Sequence, residues 1–350
     1  MNRALTVVVP GSIETRTGGY GYDREIVSGL RRKGWNVDVC EIEGAFPFPT
    51  AADRASARRA LAALPSAAPV LVDGLALGAL PDEAIAASSH LSLVALVHHP
   101  LADETGLSAE AQASLFESER RALRAVRRVV VTSPATATRL DRFGVTADMI
   151  RVVEPGTDPA PQSRGSGRPV VELLCVATLV PRKGHDVLVR ALSELRDAPW
   201  HLTCVGGLDR DVPWMRQLRD QVRAAGLEER ISFAGEMGRA AVDVQYDAAD
   251  VFVLPTWYEG YGMVVAEALA RGVPVVSTDT GAIGGLVGTD AGLLVPAGDV
   301  AALTQALSAI LRDASLRARL AEGARRVRER LPSWDDAARR MEQALEDIDV

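Results

Sequence analysis

Two carboxylates, Glu259 and Glu267, stand with seven residues between them and enclose the run Gly260-Tyr261-Gly262-Met263. A chain that turns on glycines just before a helix leaves no side chain over the helix N-terminus. The amides of Tyr261 to Met263 are then able to face an anion, and a diphosphate suits them. Carboxylates repel phosphate, so each is better used accepting hydrogen bonds from hydroxyl groups, a sugar's for Glu259 and a ribose's for Glu267. The pattern describes a nucleotide-sugar site, with both carboxylates expected at a cleft surface and not in a core. A solvated loop Glu and a helix-face Glu give the same spacing by accident. Against that reading, the apolar run 251–254, the glycines and the helical spacing from Met263 to Gly272 all fall in place.

Three further groups have suitable chemistry. In the loop Pro181-Arg182-Lys183-Gly184, Lys183 is able to neutralise a phosphate and Arg182 brings a flat, bidentate donor set, although exposed loop cations are common. His98-His99-Pro100 ends an apolar run, and ligands of open α/β sheets bind beyond the carboxyl ends of strands. A hydrogen-bonded core histidine is the ordinary alternative. Neighbours on a strand point opposite ways, so the sequence does not choose between His98 and His99. The third group is the glycine loop Gly18-Gly19-Tyr20-Gly21, which lacks the Gly-x-Gly-x-x-Gly order, so a nicotinamide dinucleotide is not expected.

These groups need strands that end beside them and helices that start from them. The apolar runs at 7–9, 36–42, 69–72, 91–97, 129–131 and 150–153 read as strands, alternating with helices near 23–33, 53–64, 77–87 and 108–126. A Pro-, Gly- and Ser-rich stretch at 156–168 has no apolar periodicity and reads as a linker. The pattern then restarts with strands at 170–176, 201–205, 231–235, 251–254 and 273–277. From Val300 the chain is almost wholly helical, and Ser333 is the N-cap of a last helix. The fold class is α/β, with two doubly wound, Rossmann-like domains.

Residues 251–277 resemble the Glu-x7-Glu signature of the retaining glycosyltransferases of family four, and on them the chain is identified as a member of that family. The resemblance implies the GT-B fold, two Rossmann-like domains facing a cleft. It places an acceptor-side domain at 1–155, a linker at 156–168, a donor-side domain at 169–332 and a C-terminal helix, 333–350, returning to the first domain. It also implies site residues. His98 or His99 lies close to the donor sugar, Lys183 binds phosphate, Gly18 and Gly19 reach the donor, and Glu236 and Met237 border the nucleotide base. With Glu259, the histidines, Lys183 and Arg182 form the expected catalytic set. Gly260, Tyr261, Gly262, Met263 and Glu267 complete the donor site. The family's Gly-Arg-Leu is replaced here by Ala177-Thr178-Leu179, so Arg182 is expected to take the missing arginine's place.

The implied reaction moves a hexosyl group from a UDP- or GDP-sugar to a hydroxyl of a small-molecule, glycan or lipid acceptor, with retention. No cofactor or metal is expected beyond the co-substrate, because neither Asp-x-Asp pair, Asp209/Asp211 or Asp347/Asp349, is well placed to hold an ion against the diphosphate. A nucleotide-sugar epimerase of related fold and a non-catalytic nucleotide-binding module are the alternatives. With 350 residues, 47% hydrophobic and 24% charged, the chain is long enough for two cores. Its net charge of −7 argues against nucleic acid as a partner. With no apolar leader and no apolar run of about 18 residues, a cytoplasmic protein with at most peripheral membrane contact is expected. The three cysteines read as isolated, reduced core thiols.

Overall fold

The computed structural model describes residues 3–66, 68–346 and 348. The chain divides into two compact units, Met1–Gly156 with Pro332–Val350, and Thr157–Leu331.

The first unit is built on six parallel strands: β1 (Ala4–Pro10), β2 (Asn36–Ile42), β3 (Pro69–Asp73), β4 (Ser92–Val97), β5 (Arg128–Val131) and β6 (Ile150–Val152). Val7-Val8-Val9, Val70-Leu71-Val72 and Leu93 to Val97 are buried along their length, as strands covered by helices on both faces must be. The order is β2-β1-β3-β4-β5-β6. The chain therefore runs outward from β1 to β2 and returns to place β3 on the other side. A crevice opens at such a switch point, beyond the carboxyl ends of β1 and β3.

The second unit repeats the plan with β7 (Val171–Val176), β8 (Trp200–Val205), β9 (Ile231–Gly235), β10 (Val251–Leu254), β11 (Val275–Thr278) and β12 (Gly292–Val295). Its order is β12-β11-β10-β7-β8-β9, and the switch point lies between β7 and β10. All four residues of β10 are fully buried, each side chain contributing about 1.5–3 kcal/mol relative to exposure. That anchors the turn that follows it. Cys175 and Cys204, far apart in sequence, are register neighbours on β7 and β8, and the Cys175 Sγ lies 3.5 Å from the Nε2 of His185, so these two thiols are not isolated from each other.

Several local features depart from the sequence reading. The glycine run is not a loop, because a helix begins at Gly18 and continues to Arg32. Thr17 caps it, its hydroxyl accepting from the Tyr20 amide at 3.4 Å. The helix expected near 77–87 is two, Gly74–Ala79 and Pro81–Ala87. Pro81 has no N–H to continue the first, and Asp73 caps that first helix through the Leu75 amide at 2.8 Å. Residues 157–168 carry no regular structure, but they are hydrogen-bonded to the second unit: Ser163 N donates to Arg271 O at 2.8 Å and Ser166 N to Asp250 at 3.0 Å.

The last helix, Trp334–Glu346, is capped by Ser333, which accepts from the Asp336 amide at 3.1 Å. It packs on the helix Gly18–Arg32 so closely that a Cβ on Gly29 would lie 2.6 Å from that of Ala338. A Cβ on Gly156 would meet the Trp334 nitrogen at 2.2 Å. Among the described residues no helix is long and apolar enough to cross a membrane.

Candidate active site

In the second unit, the turns after β7 and β10 meet at the switch point. Pro181–Lys183 form a 3-10 turn that ends on Gly184 at φ +69°, where a Cβ would sit 2.0 Å from the Pro255 carbonyl. Only glycine lets the two turns come this close. They are then tied by backbone: Trp257 N donates to Arg182 O at 2.8 Å, and the Arg182 guanidinium donates to Tyr258 O at 2.8 Å.

The result brings Lys183 Nζ onto Glu259 Oε1, with Arg182 Nη1 3.7 Å from the same oxygen and the Thr256 hydroxyl 3.3 Å away. From the sequence alone, the lysine is expected on a phosphate and the carboxylate on a sugar. The structure joins them in one partly buried ion pair. Gly281, at φ +56°, stands behind Glu259, and a Cβ there would be 1.8 Å from the Glu259 carbonyl, which accepts from Ala282 N at 3.2 Å.

Gly262 supplies the left-handed residue of the turn, φ +92°, and the helix Met263–Ala270 starts directly from it with no side chain capping its amides. No side chain therefore caps the positive end of this helix, which begins four residues after Glu259, the partner of Lys183 and Arg182. Tyr258 and Tyr261 of this turn are buried.

Glu267 does not lie open on a helix face. Its Oε2 accepts from the Tyr246 hydroxyl at 3.0 Å, and Arg271 stacks over the Tyr246 ring at 4.6 Å. Burial lifts the Glu267 carboxyl above its ordinary range, and the tyrosine hydroxyl and the Arg271 charge oppose that rise. Both carboxylates expected at a cleft surface are therefore largely enclosed. Glu236 and Met237 follow the edge strand β9, two strands from β7, with a Glu236 oxygen 4.0 Å from where a Cβ on Gly207 would sit. Asp211 caps a helix through the Trp214 amide at 2.9 Å. Asp347 and Asp349 lie outside the described residues.

At the first unit's switch point the two histidines part. His98 Nε2 lies 3.3 Å from Asp23 Oδ1 and 3.5 Å from Asp73 Oδ2, whereas His99 Nε2 turns to Glu104 at 3.4 Å. Gly19 packs on the His98 ring, where a Cβ would be 3.4 Å from Cδ2. The edge of Tyr22 stands against it, with centroids 5.3 Å apart. Burial by itself would lower the imidazole's pKa, but the two carboxylates outweigh it and push it up to about 10. Asp23, Asp73, Tyr246 and Thr256 are contributors that the sequence reading did not single out. For Asp73 a signal exists, an acid closing the buried run Val70-Leu71-Val72 at a strand's carboxyl end.

Two parallel α/β units, with a cationic, glycine-built turn at the switch point of the second, define the class of two-domain nucleotide-dependent transferases. Comparison with known proteins agrees. The model of the glycosyl transferases group 1 matches residues 161–327, and that of glycosyltransferase family 4 matches residues 22–161. D-inositol 3-phosphate glycosyltransferase of Xylanimonas cellulosilytica is 34% identical over 216 residues, 57% of this chain and 51% of the relative. The match thus spans about half the length of that curated relative.

Sucrose-phosphate synthase from Thermosynechococcus elongatus superposes with a TM-score of 0.84 at 23% identity, covering 98% of each chain. HepE of Anabaena, solved with UDP-glucose, gives 0.79 at 18% identity, covering 98% of this chain and 99% of that one. The fold is GT-B, and the chain belongs to the family-four glycosyltransferases.

Proposed function

We propose that this protein is a retaining hexosyltransferase that moves a sugar from a UDP- or GDP-sugar to a hydroxyl of an acceptor, without a divalent cation. The observation that carries the reading is the ion pairing of Lys183 and Arg182 with Glu259, four residues before the helix Met263–Ala270, whose N-terminus no side chain caps, at the switch point of the second sheet. Helix dipole and two cations together supply the positive field a diphosphate leaving group needs as its charge develops.

Glu259 and Glu267 take hydroxyls of sugar and ribose, with Lys183 exchanging its carboxylate partner for phosphate oxygen. Gly260, Tyr261, Gly262 and Met263 supply the turn, Glu236 and Met237 border the base, and Gly18, Gly19 and His98 serve from the first unit. His99, turned to Glu104, is not assigned to the donor. A relative named as acting on inositol 3-phosphate and a neighbour solved with UDP-glucose support a nucleotide-sugar donor and a polyol or glycan acceptor.

The test is to incubate the protein with UDP- and GDP-sugars and a panel of polyol, glycan and lipid acceptors. Nucleotide release and the anomeric configuration of the product are followed by NMR. Acceptor-dependent release with a retained configuration is expected. Epimerised donor in the absence of acceptor, or an inverted product, would overturn the reading.

A further inference from the structure

The buried cluster of Asp23, Asp73 and His98 has no part in cradling a diphosphate, and its polarity needs an explanation. Asp23 is 1% exposed, and neither of its oxygens makes a well-directed hydrogen bond. A buried carboxylate in that state is expensive unless a positive charge compensates it. Burial pushes the Asp23 carboxyl up, opposed by the His98 ring 3.3 Å away and by the Arg24 charge, and Asp73 approaches the same Nε2, itself buried and without a well-directed hydrogen bond, from the end of β3.

The remaining groups around the ring do not compete for that nitrogen. Tyr22 gives its hydroxyl to Val153 O at 3.0 Å, and Arg24 is held on the carbonyls of Ile13 and Thr15. Thr132 and Thr136 approach the His98 carbonyl, at 3.3 and 3.4 Å, and not its ring. His99 has its own partner in Glu104.

Resting on the transferase reading, we propose that Asp23 and Asp73 are positioning residues whose charges flank the buried Nε2 of His98 and hold the ring as a fixed imidazolium, so that it offers positive charge to the substrate and does not act as a general base. Two elements set this arrangement, the helix Gly18–Arg32 and the end of β3. Gly19 belongs to it as well, because a side chain there would press on the ring. The His98 side chain remains 22% exposed, so part of the ring is accessible to a ligand. An imidazolium has no lone pair with which to take the acceptor's proton. It stabilises negative charge or binds a hydroxyl or phosphoryl oxygen.

The test reads the imidazole itself. The full-length protein is labelled with 15N-histidine, and His98→Ala identifies the signal among the five histidines. Long-range 1H–15N spectra are then recorded from pH 6 to 10. His98 is expected to keep the imidazolium pattern at pH 8, where an ordinary histidine is neutral. In Asp23→Asn and in Asp73→Asn, whose amide oxygen can still cap Leu75, its titration should fall by about one pH unit or more.

The same variants should lower kcat and shift its pH profile, with the donor KM little changed. A wild-type His98 that titrates near the ordinary value, or a titration unmoved by both substitutions, overturns the proposal. If neither variant folds, the wild-type titration decides alone. Absence of transfer with every donor, alongside the expected titration, would refute the transferase reading and leave the imidazolium standing.

His98 Nε2 and one oxygen each of Asp23 and Asp73 lie within 4.8 Å of one another. Zinc or manganese is therefore added in a parallel arm. A metal-induced rise in melting temperature that is lost in Asp23→Asn, with the imidazolium pattern abolished, would overturn the proposal.

Discussion

Lys183 and Glu259 stand on two different turns and meet as an ion pair, with 14% and 12% of their side chains exposed. An enclosed pair of this kind is costly to break from one side, because the survivor keeps a charge with no partner. Lys183→Met and Glu259→Gln are each expected to destabilise the fold. The double variant should be less damaged than the sum of the two, by a coupling of about 0.5–3 kcal/mol in urea unfolding. Each single variant should also lose about 100- to 1000-fold in kcat, the effect of removing one placed polar group. Strict additivity of the two unfolding energies would show that the pair contributes nothing.

Gly281 is held at φ +56° with its Cα against the Glu259 carbonyl. Alanine there meets both a left-handed backbone and a clash, so Gly281→Ala should destabilise the protein by at least about 1–2 kcal/mol and disturb the turn carrying Glu259. Calorimetry and donor kinetics should fall together. A normal melting temperature and KM in this variant would mean that the turn relaxes without consequence.

Stability should depend on pH through His98. Its folded pKa, about 10, lies above the ordinary value of 6.5. The unfolded chain therefore loses the proton first as pH rises. The contribution is full below about pH 6.5 and declines as pH rises toward 10. Melting temperatures of the wild type and His98→Gln, taken across that window, should converge as pH increases. A constant difference would count against the raised pKa.

Transfer is expected to survive excess EDTA. The helix Met263–Ala270, Lys183 and Arg182 provide the positive field, and Asp211 of the Asp-x-Asp pair at Asp209 is occupied as a helix cap. Initial rates are compared with EDTA alone and with magnesium or manganese added back. Complete loss in EDTA, restored by metal, would direct mutagenesis to Asp209 and to the Asp23 cluster.

Eleven of the twelve described strands and the glycine turn after β10 were legible in the sequence because they are local, whereas β12, Gly292–Val295, has no counterpart in the sequence reading. Val251 to Leu254 is a buried apolar run, and Gly262 with Met263 sits where a strand must become a helix. The helix start at Gly18 was misread, because glycines suggest a loop and the deciding feature is the Thr17 hydroxyl on the Tyr20 amide. Asp23, Asp73 and His98 come from three separate segments, and only the strand order brings them together. The pairing of Tyr246 with Glu267 was hidden for the same reason, since one residue lies in the last turn of the helix Arg239–Ala248 before β10 and the other in the helix after it.

The close fit of Gly29 against Ala338, and of Gly156 against Trp334, has a consequence for the order of synthesis. The second unit is continuous, Thr157–Leu331, and all of it leaves the ribosome before the helix Trp334–Glu346 does. Until that helix arrives, the nascent first unit has an uncovered face along Gly18–Arg32, where Tyr22 and Gly29 await their neighbours. The unit that is translated first is thus the one completed last.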